Sequence, residues 1–124
     1  MRIFKNKAFN KWSAKEGISD EALRMAVVEI ERGLIDADLG GYVIKKRVAI
    51  DGRGKSSGVR TLLAYRVGDK VFFLYGFAKN ARANVSNEEL KALKNLAKEL
   101  LKYSDPMLTT LINKKVLIEV IIDE

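Results

Sequence analysis

Between Lys45 and Arg60 the chain places six cations within 16 positions: Lys45, Lys46, Arg47, Arg53, Lys55 and Arg60. The run Asp51-Gly52-Arg53-Gly54-Lys55-Ser56-Ser57-Gly58 interrupts them. Glycines let backbone N–H groups come close to a phosphate, and flanking cations supply charge, so the pattern suits a phosphodiester ligand. The Walker spacing is not met in full, which excludes a P-loop. A solvated loop between two strands has the same composition, and composition alone favours that plainer reading. A second group follows in Tyr75-Gly76-Phe77-Ala78-Lys79-Asn80-Ala81-Arg82. Aromatic rings beside cations at a strand end can stack on a base while its phosphate is held. Phe77 is expected in the core, Lys79 and Arg82 at the surface or the site. Gly76 inside a strand marks a bulge or a close approach by another group. Trp12 reads as packing. Asp36 and Asp38 read as polar residues at a helix end, because a metal pair would lack a third ligand nearby.

Composition narrows the chemistry. The 124 residues contain no cysteine and no histidine, which removes thiolate and imidazole nucleophiles, bases and metal ligands. Catalysis must then run on Lys, Arg, Tyr, Asp, Glu, Ser or Asn, and no cofactor or metal is expected. Lys and Arg number 23 against 16 acids, a net charge of +7. An excess of this size attracts polyanions through counterion release. It also fits a surface kept soluble by charge, or an acidic protein partner. Met1-Arg2-Ile3-Phe4-Lys5 is not followed by an apolar run and no segment approaches a membrane span, so a cytoplasmic protein is expected. With 48% hydrophobic residues, one domain over residues 1–124 is expected.

The elements that must position these residues are legible from period and punctuation. Arg2 to Phe9 reads as a short strand, and Asn10 to Glu16 as a helical turn carrying Trp12. Ser19 caps a helix whose Leu23, Ala26, Val27 and Ile30 share one face. Leu34 to Leu39 reads as another helical turn, closed by Gly40-Gly41. Tyr42 to Ile50 alternates as a strand, and 51–58 is a loop. Val59 to Val67 and Lys70 to Ala78 form a hairpin about Gly68-Asp69, the second strand being central because both its sides are apolar. On that strand Val71, Phe73, Tyr75 and Phe77 fall on one side, Phe72, Leu74 and Ala78 on the other. Ser86 and Glu89 make a capping box for a helix to about Tyr103. Asp105-Pro106 opens a short helix, and Val116 to Ile122 is a final strand. The fold class is α+β, a mostly antiparallel sheet with helices packed on it.

Taken in order, several of these runs resemble the RelE-like toxins of the HigB type, within the RelE/ParE superfamily of type II toxin–antitoxin systems. The matching runs are Leu34-Ile35-Asp36-Ala37-Asp38-Leu39-Gly40, Ile44-Lys45-Lys46-Arg47-Val48-Ala49, Lys55-Ser56-Ser57-Gly58-Val59-Arg60, Phe73 to Asn80, and the helix from Glu89 to Leu101. They cover about residues 9 to 102. The resemblance implies a RelE-like fold with the N-terminal helices on one side of the sheet. It also implies metal-independent cleavage of messenger RNA on the ribosome, and a helix-turn-helix antitoxin as partner. In that reading Arg60, Lys79 and Lys55 are catalytic, Arg60 holding the phosphate. Lys45, Arg47, Arg53, Arg82 and Tyr75 contact RNA. Where relatives carry a tyrosine or histidines downstream of the cluster, this chain has Asn84-Val85-Ser86, so general acid and base stay unassigned. Two alternatives remain: a ParE-like toxin that inhibits gyrase, and a basic RNA-binding module without catalysis.

Overall fold

The structure, a computed structural model, describes residues 1–50 and 54–121, and for 54–57 the backbone alone. Its elements are β1 (Arg2–Asn6), α1 (Lys7–Glu16), α2 (Asp20–Glu31), β2 (Ala37–Asp38), β3 (Val43–Ile50), β4 (Gly54–Tyr65), β5 (Lys70–Ala78), α3 (Asn87–Leu101), α4 (Asp105–Asn113) and β6 (Leu117–Glu119). The sheet runs in the order β2-β3-β4-β5-β1-β6. Every neighbour is antiparallel except β1, which lies parallel to β5. The architecture is that of a RelE-like α+β fold.

Two apolar layers sandwich the sheet. Leu23, Ala26, Val27 and Ile30 of α2, with Phe9 of α1, pack on Ile3, Ile44, Val48, Leu63, Val71 and Phe73. On the opposite face, Ala97, Leu100 and Leu101 of α3 and Leu108 of α4 cover Phe4, Val43, Leu62, Ala64 and Phe72. β5 feeds both layers, as its two apolar sides require. Phe4 stacks on Phe72 at 5.0 Å between centroids, worth about 1 kcal/mol beyond the area the rings bury. Two buried lysines clamp α2 to the sheet. Lys5 Nζ donates to Asp20 at 2.9 Å, and Lys46 Nζ reaches Glu29 at 2.9 Å and the Leu34 carbonyl at 2.7 Å.

Several local expectations are corrected. β1 stops at Asn6 because the Asn6 side chain accepts from Phe9 N at 2.7 Å and caps α1, which puts Phe9 in the helix. Residues 37–38 are strand rather than helix: Asp36 N donates to the Lys45 carbonyl, so β3 captures this segment as an edge strand. β4 begins at Gly54, inside the stretch expected as loop, pairing Gly54 with Ile50. The β4–β5 turn spans Arg66 to Asp69, four residues rather than two, closed by Asp69 N on the Arg66 carbonyl. β6 is only three residues long, and Ile122 lies outside the described residues.

One irregularity matters for function. Leu63 pairs with Phe73, yet Leu62 pairs with Tyr75, so Leu74 is an extra residue in β5. A bulge of this kind resets strand alternation. Tyr75 and Phe77 therefore join Leu62 on the α3 face, whereas alternation through Phe73 had put all of them on one side. The Leu74 carbonyl accepts from Asn6 Nδ2 at 3.0 Å, so one side chain secures both the bulge and the start of α1.

Candidate functional site

Register places the candidate residues. In one row across the sheet Arg47 faces Arg60, which faces Phe77; in the next Lys45 faces Leu62, which faces Tyr75. Strand alternation carries all six side chains to the α3 face. The row below, Val43 and Ala64, lies under α3, which leaves the two upper rows less covered. Lys45, Arg47, Arg60 and Tyr75 thus share one surface at the C-terminal end of β5. Tyr75 is diagonal to Arg60, within reach of long side chains on one face.

Their partners differ. Arg47 Nε lies 3.2 Å from Asp36, so an aspartate read as a helix-end residue instead tethers a site cation. Arg60 is half-buried, and its Nη1 is buried without a hydrogen-bond partner. Lys45 is half-buried and has no ion pair among the described residues. Lys46, the neighbour of both in sequence, points to the other face and is buried against Glu29, so it leaves the cluster.

The turn after β5 is organised by one ionic network. Arg82 donates to both carboxylate oxygens of Glu89, at 3.0 and 2.6 Å, and to the Tyr75 hydroxyl at 3.1 Å. Glu89 also accepts from Ser86 N at 2.8 Å, completing the capping box of α3. The Arg82 hydrogen bonds, with help from Ser86, hold the Glu89 carboxyl down at about 2, and the Arg82 guanidinium is raised in turn. Glu89 stays ionised throughout the physiological range and is no proton shuttle. Arg82 is matched by a carboxylate, so it orients Tyr75 more than it offers free charge. Spacing alone did not reveal this, although Glu89 seven residues after Arg82, at a helix N-terminus, was visible.

Lys79 follows β5, exposed, and makes no ion pair among the described residues. Arg53, and the side chain of Lys55, lie outside the described residues. Gly76 serves the close approach that a strand glycine allows: a Cβ there would sit 2.0 Å from Trp12 Cζ3. Trp12 lies over the Gly76 backbone and tilts against Phe9 at 5.5 Å. Asp38 accepts from Gly40 N, and the described residues contain no group of three acidic ligands that could hold a metal. No helix among them is long and apolar enough to cross a membrane.

A family model described as the RelE toxin of the RelE/RelB toxin–antitoxin system matches residues 1–120. The chain belongs to the RelE toxin family. No curated protein matches it significantly in sequence. As a RelE-family toxin it has a cognate antitoxin as partner. The match spans β1 to β6 and every candidate residue, so the cationic rows on β3 and β4 and the network behind Tyr75 are parts of a toxin.

Proposed function

We propose that this toxin is a HigB-type endoribonuclease that cuts messenger RNA on the ribosome by attack of a ribose 2′-oxygen on the adjacent phosphate. The new O2′–P bond forms as the P–O5′ bond breaks, leaving a cyclic phosphate and a 5′-hydroxyl. One proton leaves O2′, one arrives at O5′, and negative charge gathers on the non-bridging oxygens. The observation that carries the reading is Arg60 Nη1, a charged N–H buried without a partner. Such a group costs about 1–3 kcal/mol, and a bound phosphate oxygen would satisfy it. Arg47 and Lys45, in the same face of β3, extend the positive surface along an RNA backbone. Tyr75 brings a hydroxyl and a ring to that face, held by Arg82, and is the candidate for proton transfer or stacking. Lys79, exposed just after β5, takes an outer phosphate in this reading, and Lys55 and Arg53 keep the roles that the family resemblance implies. The partner is a helix-turn-helix antitoxin, and the setting the cytoplasm.

The test is single-turnover cleavage of ribosome-bound message by the parent, Arg60→Ala and Arg60→Met, with melting temperatures measured alongside. Both variants are expected to lose at least about a hundred-fold in rate, the cost of one preorganised charge-stabilising donor. Arg60→Met should melt no lower than the parent, because it removes an unsatisfied buried charge and keeps the apolar stem. Cleavage by Arg60→Met at the parental rate would refute the assignment. Growth arrest without message cleavage, by the parent, would instead favour a gyrase-type target.

A further inference from the structure

β1 pairs with β5 only from Lys70 to Phe73, after which the chain turns away into α1. The last four residues of β5, Tyr75 to Ala78, therefore have β4 on one edge and no strand on the other. In a sheet alternate residues point their N–H and C=O groups to each edge. Among the described residues, the only backbone hydrogen bonds made there outside the β4 ladder run from Ala81 N and Arg82 N to the Ala78 carbonyl. A cleft of about 350 Å³ opens along this edge, a size at the lower end for small-ligand sites. Phe9, Trp12, Tyr75 and Phe77 wall it, while Ala8 and Ala81 leave it open.

We infer that this cleft is a base-binding subsite, in which one unstacked base of the bound RNA lies against the ring of Trp12 with its edge toward the free edge of β5. The inference rests on the ribonuclease reading and extends it to recognition. Three observations converge. The walls are aromatic, and single-stranded RNA is held by stacking splayed bases on such rings. Main-chain donors and acceptors without a strand partner line the side where a base would present its hydrogen-bonding edge. Cations surround the mouth: Lys11 and Lys15 are exposed on α1 beside the stripe formed by Ala8, Trp12 and Glu16, and Lys79 follows β5, while Arg82 in the wall is already matched by Glu89. Glu16 is the one acid in the wall. Phe77, a wall of the cleft, is also the register partner of Arg60, so a base here belongs to a nucleotide near the phosphate held by Arg60.

Trp12 is the only tryptophan, so its emission reports directly on the cleft. The purified toxin would be titrated with a fully 2′-O-methylated hexanucleotide, which cannot be cut, and with the same backbone made abasic, following Trp12 emission and the anisotropy of an end label. The base-bearing chain should quench Trp12, and the abasic chain should bind about ten-fold more weakly without quenching. Ala8→Leu, on an exposed helix position, should fill the cleft, lower affinity by about ten-fold and leave the melting temperature unchanged. Binding without quenching, indifferent to Ala8→Leu, overturns the subsite while message cleavage still stands. Loss of message cleavage by the parent in the Arg60 assay would overturn the ribonuclease reading itself. Quenching by an extended peptide but not by the oligonucleotide would also overturn it, marking the edge as one to which a protein strand adds.

Discussion

Gly76→Ala adds one methyl group at a position where space can be read directly. The new Cβ would meet Trp12 Cζ3 at 2.0 Å, Cη2 at 2.3 Å and Cε3 at 2.5 Å. Carbon atoms rest at about 3.5–4.0 Å, so the indole would have to retreat by more than an ångström. It is not a flexible tip, since Trp12 is half-buried and leans on Phe9, which itself packs on Phe73 at 5.3 Å. Overpacking of this kind costs about 1–3 kcal/mol, and a rigid ring pressed from three atoms belongs near the top of that range. At about 2.1 cal/mol/K of unfolding entropy per residue, 3 kcal/mol lowers the melting temperature of a chain this long by roughly 11 °C. The assay is thermal and urea unfolding of a double-mutant cycle with Trp12→Ala. In the Trp12→Ala background, Gly76→Ala should be neutral or stabilising by about 0.5 kcal/mol, because alanine loses less entropy than glycine in a strand. A Gly76→Ala protein as stable as the parent, or a cost that persists without the indole, would refute the close-packing account of this glycine.

The Arg82–Glu89 pair should show in the pH dependence of stability. Glu89 has a folded pKa of about 2 against an ordinary 4.5, so its contribution is present above about pH 4.5 and lost as pH falls toward 2. Glu89→Gln keeps a capping side chain but removes the charge. Its urea midpoint should lie below the parent's by a constant gap above pH 5, closing between pH 4.5 and 2; a gap that persists at pH 2 would argue against the ion pair. Lys46→Met should cost about 1–3 kcal/mol by withdrawing the buried ammonium from the Leu34 carbonyl and from Glu29. A neutral Lys46→Met in chemical unfolding would show that the clamp on α2 contributes nothing.

What the sequence disclosed tracks the range over which each signal acts. The face of α2, the capping box at Ser86 and the centrality of β5 are local or near-local patterns, and all three appear in the structure. The strand at Ala37–Asp38 was illegible because its only cause is β3, which offers the Lys45 carbonyl from eight residues further on. The start of α1 was misplaced because Phe9 suits a strand, and only the Asn6 cap reveals the helix. Site residues behaved likewise. Arg47 and Arg60 were picked out as cations, but that they face each other depends on the β3–β4 register. Lys46 sat in the same charged run and could be separated only by its burial against α2. Arg82 was assigned to RNA because its partner Glu89 had been accounted for as a helix cap, and one carboxylate performs both tasks.

The extra residue at Leu74 works as a change of phase within a single strand. Up to Phe73, every substitution in β5 is answerable to two cores at once, because the strand is sandwiched. Beyond it the same strand is out of step with its own beginning, so its aromatic residues stay in the α3 core while also bordering the cationic surface and the cleft. The end of the strand thus serves the α3 core and the proposed RNA surface together, whereas its start serves the two cores alone. Deleting that one residue would leave Tyr75 opposite Leu62 and Phe77 opposite Arg60, but would take away the carbonyl that Asn6 holds and so uncouple the end of β5 from the start of α1.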